Sequence, residues 1–368
     1  MPLSQQVPTN SQRACRDSAR RVGTIVRLQS MRPKLAEVAQ LADVSEATVS
    51  RVLNGRPEVA EATRRRVLDV MGDLGYREVP SRSNSSGVVG IITPELENPL
   101  FAVFAQSLLS NLASRGMLPV VCAATPETVN EQDYLEHFLT SRAAGAVVVN
   151  GRYAQPEIGY GPYVAFRDQG LPIVLVSGIH AASPLPAVAI DVEAATAAAV
   201  RHLVTLGHRK IGLLIGPMRY SLSLDMIEGC RVAAERLAVA CDDNMISESL
   251  FTFEGGRAGS AQLLEAGMTG IIAANDLMAD GAIDAVRAWG GNVPDDVSVV
   301  GFDGTPAMAY TAPRLTTLRQ PIDRMSAAAT ALLVDVMDGN GVSQTQVFAP
   351  ELVVGRSTGP VKAAVGSR

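Results

Sequence analysis

Apolar residues recur along this chain with two different periods, and the change from one to the other falls near residue 88. Up to that point the spacing is helical. Leu35, Val38, Ala39 and Ala42 share one face, and Val49, Val52 and Leu53 share a second. Val67, Val70, Met71 and Leu74 form a third at i, i+3, i+4, i+7. Three short helices are therefore expected over 34–76. Between the first two lies Ala42-Asp43-Val44-Ser45. Aspartate tolerates the left-handed conformation that a tight turn needs, and Ser45 stands where a cap for the next helix belongs. Helix, tight turn, helix is the pattern of a helix-turn-helix.

From Val88 onward short apolar runs alternate with amphipathic stretches. The runs are VVGIIT, LPVVCAA, GAVVVN, PIVLVS, AVAID, KIGLLIG, SLFTF, TGIIAA and VSVVGF. Strands of this kind separated by helices predict parallel sheets built from βαβ units with right-handed crossovers. The stretch is long enough for two such sheets, and two sheets side by side leave a cleft suited to a small ligand. The expected fold is thus an N-terminal all-α helix-turn-helix head plus an α/β two-lobed body of two doubly wound parallel sheets. The boundaries follow from composition: a basic disordered tail over 1–33, the head over 34–79, and a Ser/Asn-rich linker over 80–87. The body then covers 88–358, with a flexible C-terminus over 359–368. Met31 directly precedes the ordered part, which makes it a candidate alternative start.

Charge sharpens the division. The 368 residues carry a net charge of −5, but residues 1–87 hold 14 Lys/Arg against 9 Asp/Glu, and the remainder 18 against 28. A cationic head on an anionic body suits a molecule that meets a polyanion with one end only. No run of eighteen apolar residues appears, so no membrane helix is expected, and the N-terminus lacks the order of a secretory signal. The four cysteines are scattered without a C-x-x-C, the pattern of reduced thiols in the cytoplasm.

Candidate chemistry lies where open α/β sheets keep their ligands, beyond the carboxyl ends of the strands. The polar residues there are Thr93, Glu95, Asn150, Arg152, Ser177, Arg219, Tyr220, Asn275, Asp276 and Asp303. Each serves equally well as a helix cap or as a ligand contact; as a converging set they favour a ligand. Enzyme signatures are missing: there is no G-x-G-x-x-G after the first strand, no G-K-[ST] and no G-x-S-x-G. The segment EGGRAG at 254–259 lacks the strand that a dinucleotide fingerprint follows, and the four histidines have no metal-ligand spacing.

With these motifs in place, the sequence resembles the transcription repressors of the lactose/galactose-repressor (LacI/GalR) family from Lys34 to Thr358. The head block LAEVAQLADVSEATVSRVLNGRPEVAEATRRRVLDVMGDLGY carries the resemblance most specifically. ENPLF, HLVTLGHRKIGLLIGP, NDLMADGA, VPDDVSVVGFDGTP and LTTLRQP follow in the family's order. The resemblance implies a cytoplasmic, nucleoid-associated homodimer or tetramer that binds double-stranded operator DNA. No leucine heptads follow Thr358, which favours the dimer. It also implies a sugar-type or nucleoside-type effector in the cleft, and no cofactor or metal. The helix Glu46–Leu53 becomes the recognition helix in the major groove. Glu46 can accept from a cytosine amine, Ala47 can touch a thymine methyl, and Arg51 can grip a guanine. Ser45, Thr48, Ser50 and Asn54 hold phosphates and set register. In the body, Leu100, Phe101, Ser177, Arg219, Asn275 and Asp303 are the expected effector contacts, with Asp276 a cap or structural partner.

Two departures matter. The segment after Tyr76 is short and carries no leucine, so the minor-groove wedge of the family's hinge helix is expected to be weak or absent. An arginine that anchors the effector in many relatives is replaced by Met226, three residues before Gly229. Either Arg219 substitutes for it, or the effector is less polar or more weakly held. A periplasmic solute-binding protein would share the body but has no use for residues 34–76. A nucleotide-dependent enzyme is disfavoured by the missing fingerprints.

Overall fold

A computed structural model divides the chain into two compact units, Met1–Ser83 and Asn84–Arg368. The structure describes residues 35–53, 59–73, 87–125, 129–180, 182–340 and 343–361. The expectations for the tail and Met31, for Asn54, Leu74 and Tyr76, for the linker over 80–86, and for the Ser50 side chain lie outside the described part.

The first unit contains α1 (Leu35–Leu41), α2 (Glu46–Leu53) and α3 (Glu61–Asp73). Val38, Ala39, Ala42, Val49, Val52 and Val67 form its core, with Val44, Val59 and Val70 packed against it. The turn is made by Asp43, at φ 52°. Ser45 then starts α2: its hydroxyl accepts the Thr48 amide at 3.2 Å, and the Thr48 hydroxyl lies 2.9 Å away. Capping thus satisfies one of the amide groups that a helix start leaves without a partner.

The second unit begins with β1 (Val88–Thr93), α4 (Pro99–Ser114), β2 (Leu118–Ala123), α5 (Glu131–Thr140), β3 (Gly145–Val149), α6 (Gly161–Asp168), β4 (Ile173–Val176) and β5 (Ala187–Ile190). A second lobe follows with α7 (Val192–Thr205), β6 (Ile211–Ile215), α8 (Ser221–Leu237), β7 (Ile246–Glu248), α9 (Phe253–Glu265), β8 (Gly270–Ala273), α10 (Asp276–Ala288), β9 (Ser298–Asp303) and β10 (Thr316–Arg319). Finally come α11 (Ile322–Met337), β11 (Thr345–Phe348) and β12 (Glu351–Val353). The sheets run β11-β5-β4-β3-β1-β2 and β12-β10-β9-β8-β6-β7. All pairs are parallel except β10 with β12, which is antiparallel.

The chain passes between the lobes three times: from β5 to α7, from β10 to α11, and from β11 to β12. The helix α11 closes the first lobe, because Ile322, Met325, Ala329, Leu332 and Leu333 pack with Val89, Phe104 and Val147. Such triple crossings leave the lobes joined by short segments, the layout of a hinge around a cleft.

Three details differ from the sequence reading. SLFTF is not a strand: β7 ends at Glu248, and Thr252 caps α9 by accepting the Gly255 amide. The Phe251 ring fills the space beside Gly216, where a Cβ would collide with it. Strands β10, β11 and β12 lie outside the predicted runs, because their sequences TTLR, TQVF and ELV mix polar and apolar residues. The body also continues past 358. Gly359 N donates to Ser298 Oγ at 3.0 Å, and Val361 N donates to Leu206 O at 2.9 Å.

Candidate functional site

A cavity with about 510 Å³ of unfilled space, its open mouth included, lies among the strand ends of both lobes. Asn150 follows β3, Ser177 and Gly178 follow β4, Asp303 ends β9, and Gln320 follows β10. Ile190 and Val192 bring in one of the interlobe crossings. Two helix starts complete the wall. The α4 turn offers Leu100, Phe101 and Phe104, and the α8 turn offers Ser221, Leu222 and Asp225.

Local sequence explains each placement. Asn98 caps α4 by accepting the Leu100 amide at 3.0 Å, and Pro99 supplies a helix-ready φ at the first position. This turns Leu100 and Phe101 toward the cavity. Ser221 Oγ donates to the Gly178 carbonyl at 3.2 Å, a bond between the second lobe and the first. A buried phenol supports the floor: Tyr153 Oη donates to the Val176 carbonyl at 2.7 Å and accepts the Val176 amide at 3.1 Å, just before Ser177. Tyr163 in turn donates to Glu131, whose other carboxylate oxygen accepts the Arg152 amide at 3.2 Å.

Three cavity residues with side chains have positive φ: Asn150 at 50°, Ser177 at 60° and Asp303 at 108°. Such conformations cost free energy for any residue with a Cβ and gather at ligand sites. Two buried polar atoms of the lining also lack partners, Ser177 Oγ and Gln320 Oε1. An unpaired buried polar group costs roughly 1–3 kcal/mol unless something pairs with it.

The electrostatics are acidic. Among the lining residues there is no Lys, Arg or His, but there are two carboxyl groups. Asp303 accepts the Gln320 side-chain amide at 2.9 Å. Burial first, and the neighbouring Asp276 second, hold its carboxyl well above the ordinary range. Burial pushes the Asp276 carboxyl up to about 7, against the three hydrogen bonds it accepts, from Thr317 Oγ1 at 2.6 Å, Thr305 N at 3.2 Å and Gly304 N at 2.9 Å. Asp225 is pushed up to about 6, by burial and then by Glu193.

Of the expected effector contacts, Leu100, Phe101, Ser177 and Asp303 line the cavity, and so does Asn150 from the wider set. Arg219 and Asn275 do not. Arg219 is exposed, its guanidinium 5.0 Å from the Tyr220 ring centroid, because the loop before α8 carries it outward. Asn275 is consumed structurally: its oxygen accepts Met278 N at 2.7 Å and its amide donates to Phe251 O at 3.1 Å. Asp276 ties α10 to the loop after β9. Met226 is fully buried in the second lobe's core. The sequence reading missed Ser221, Asp225 and Gln320. Gln320 follows β10, whose sequence TTLR mixes polar and apolar residues, and Asp225 lies inside a helix rather than beyond a strand end.

In the head, Ser45, Glu46, Ala47 and Arg51 are exposed and Thr48 is half-buried, all within or at the start of α2. Among the described residues no cluster of metal-ligating side chains occurs. No described helix is long and apolar enough to cross a membrane.

Known proteins share both units. Residues 34–78 match the family described as bacterial regulatory proteins, lacI family, and residues 200–358 match a periplasmic binding protein-like domain. The HTH-type transcriptional regulator MalR of Streptomyces coelicolor is 42% identical over 334 residues, 89% of this chain and 97% of that protein. The HTH-type transcriptional repressor CytR of Escherichia coli is 29% identical over 331 residues, 88% and 96% of the two chains. A solved complex of the transcriptional regulator CelR with cellobiose has a TM-score of 0.67 at 28% identity, covering 89% of this chain and 100% of that one. The lac repressor dimer bound to operator and the anti-inducer ONPF has a TM-score of 0.75 at 25% identity, covering 89% and 99%.

Proposed function

This chain belongs to the lacI family of bacterial regulatory proteins, and from that premise we propose that it is a homodimeric operator-binding repressor whose grip on DNA is set by a sugar-type effector in the interlobe cavity. Its relatives are transcriptional regulators rather than enzymes. It works on chromosomal DNA, in the cytoplasm.

The observation that carries the effector reading is the unfilled demand inside the cavity. Ser177 Oγ and Gln320 Oε1 are buried without partners, and Asn150, Ser177 and Asp303 hold strained backbones around them. Hydroxyl groups can give and take hydrogen bonds at these points. Leu100, Phe101 and Phe104 offer an apolar wall for a sugar's face. Cellobiose bound to CelR supports the same class of ligand. Asn150, Ser177, Leu100, Phe101 and Asp303 are the contacts we assign.

On DNA, α2 is the reading helix, with Glu46, Ala47 and Arg51 toward base edges and Ser45, Thr48, Ser50 and Asn54 toward phosphates. One helix of eight residues reads few bases. Two copies on half-sites about 34 Å apart, or a multiple of it, multiply the discrimination. The lac repressor dimer on its operator supports this arrangement. A ligand that closes the lobes shifts the hinge and so the spacing of the heads.

A gel-shift titration on the DNA upstream of the protein's own gene tests the proposal. Specific binding should fall steeply between about 50 and 200 mM salt and change when an oligosaccharide is added. Equal affinity for unrelated DNA, or no response to any sugar, would count against it.

A further inference from the structure

Asp225 is the one charged side chain of the cavity wall that the fold itself leaves unused. It is half-buried on the first turns of α8, beside Ser221 and Leu222. No hydrogen bond or ion pair to it is found among the described residues, whereas Asp303 accepts from Gln320 and Asp276 has three donors. The charged group that acts on it, after burial, is Glu193, of like sign, at the start of α7. The same cavity presents Ser177 Oγ and Gln320 Oε1, both over nine-tenths buried and unpartnered. Carboxylate, hydroxyl and amide oxygen therefore face one space with no cation among the lining residues. One position further along α8, Met226 turns into the lobe's core and offers the cavity nothing.

We propose that Asp225 selects the effector by charge: it accepts hydrogen bonds from the hydroxyl or ammonium groups of a sugar and bars sugars that bear phosphate or carboxylate. This rests on the reading of the cavity as a sugar site. The physical case is one of pairing. A partly desolvated carboxylate is stabilised only by donors. Gln320 Oε1 likewise accepts only, so the wall asks the ligand for hydrogens at two separate points. A ligand oxyanion placed there would meet the Asp225 carboxylate, and no cation among the lining residues would offset the repulsion.

The full-length protein tests this with three groups of probes: maltose and cellobiose; glucosamine and its β-1,4 dimer; glucose 6-phosphate and glucuronate. Melting-temperature shifts rank the probes, and calorimetry gives affinities for the best of them in the native protein, in Asp225→Asn and in Asp225→Glu. Asparagine keeps the shape and removes the charge, and circular dichroism verifies that each variant is folded. The strongest shift is expected from a neutral or amino sugar. Asp225→Asn should weaken that probe at least about tenfold, the loss of a hydrogen bond to a charged group, and Asp225→Glu should recover part of it. A phosphorylated or acidic sugar as the tightest probe overturns the proposal. So does an affinity that Asp225→Asn leaves within twofold, with the sugar site itself intact. If no probe shifts the native protein, the sugar reading of the cavity fails, and the assignment of Asp225 with it.

Discussion

Ser221 of one lobe and Gly178 of the other meet across the cavity, the Ser221 hydroxyl donating to the Gly178 carbonyl at 3.2 Å. The bond sits at the start of α8 and just after β4, so it joins the two walls that a ligand must separate or draw together. Removing it in Ser221→Ala should loosen closure by the net worth of one neutral hydrogen bond, about 0.5–1.5 kcal/mol. Effector affinity should fall roughly two- to tenfold, and the unliganded protein should show a larger radius of gyration in small-angle scattering. An unchanged radius and unchanged affinity would mean that closure does not depend on this contact.

Ser177 is strained and its hydroxyl is unpaired, which makes it costly to the empty protein. Glycine adopts φ 60° freely. Ser177→Gly is expected to preserve thermal stability or raise it by up to about 1 kcal/mol, while effector affinity drops. Paired melting curves with and without sugar read both effects. A clear loss of stability without ligand would show that Ser177 serves the fold rather than the ligand.

The glycines of EGGRAG serve packing. Gly256 on α9 faces the Met278 backbone, and Gly281 on α10 faces Phe253 and Arg257. A Cβ on Gly281 would stand 2.7 Å from Arg257 N. The two helices thus approach too closely for any side chain. Gly281→Ala should cost about 1–3 kcal/mol, the range for overpacking, visible as a lower denaturation midpoint with the slope unchanged. Gly290 has open space around its Cβ position but φ 91°. Gly290→Ala therefore probes backbone strain alone and should cost less.

Asp225 also marks the protein's response to pH. Its carboxyl titrates at about 6 in the folded chain, raised by burial and then by Glu193, against 3.8 for the free group. The native state thus binds this proton more tightly than the unfolded state does. Stability gained from it is full below pH 3.8 and is lost as pH rises through about 6. Asp225→Asn removes the charged form, so its melting temperature should exceed that of the native protein at pH 7.5. The gap should close as pH falls from 6 toward 4. A pH-independent gap would place the effect in packing.

The fold was legible where burial is continuous. β3, β4 and β6 are apolar throughout, and β1 is so up to Thr93; the parallel sheets follow from them. The helix-turn-helix was legible down to Asp43, whose left-handed turn needs a residue that tolerates it. Strands at the lobe crossings were not. β10 reads TTLR because Thr316 and Thr317 spend their hydroxyls on Thr358 and Asp276, so polar residues are buried where the pattern says surface. That concealed Gln320, the next residue after β10. Asn275 shows the converse: a polar residue after a strand looked like a ligand contact, yet both ends of its side chain are used within the fold. Sequence marks polar residues near strand ends; only geometry tells which of them remain unpaired.

The head offers the last prediction, on Arg51. It is exposed on α2, on the same short helix as Glu46 and Ala47. Arginine in the major groove can bind a guanine through two parallel hydrogen bonds, a geometry that lysine cannot reproduce. If Arg51 reads a base, Arg51→Ala and Arg51→Lys should both lose about 1–3 kcal/mol on the operator and relax specificity at one base pair. If it only touches phosphate, Arg51→Lys should bind nearly as well, and Arg51→Ala should weaken all DNA alike, with a salt slope lower by about one. Ser45→Ala cannot make this distinction, because Ser45 caps α2 and its removal should cost about 1 kcal/mol of helix stability before any DNA is met. Arg51 makes no such contribution to the start of the helix, so the pattern of its two variants across operator and unrelated DNA separates reading from gripping. We expect the reading pattern, since the segment between Tyr76 and Val88 has no leucine to serve as a minor-groove wedge.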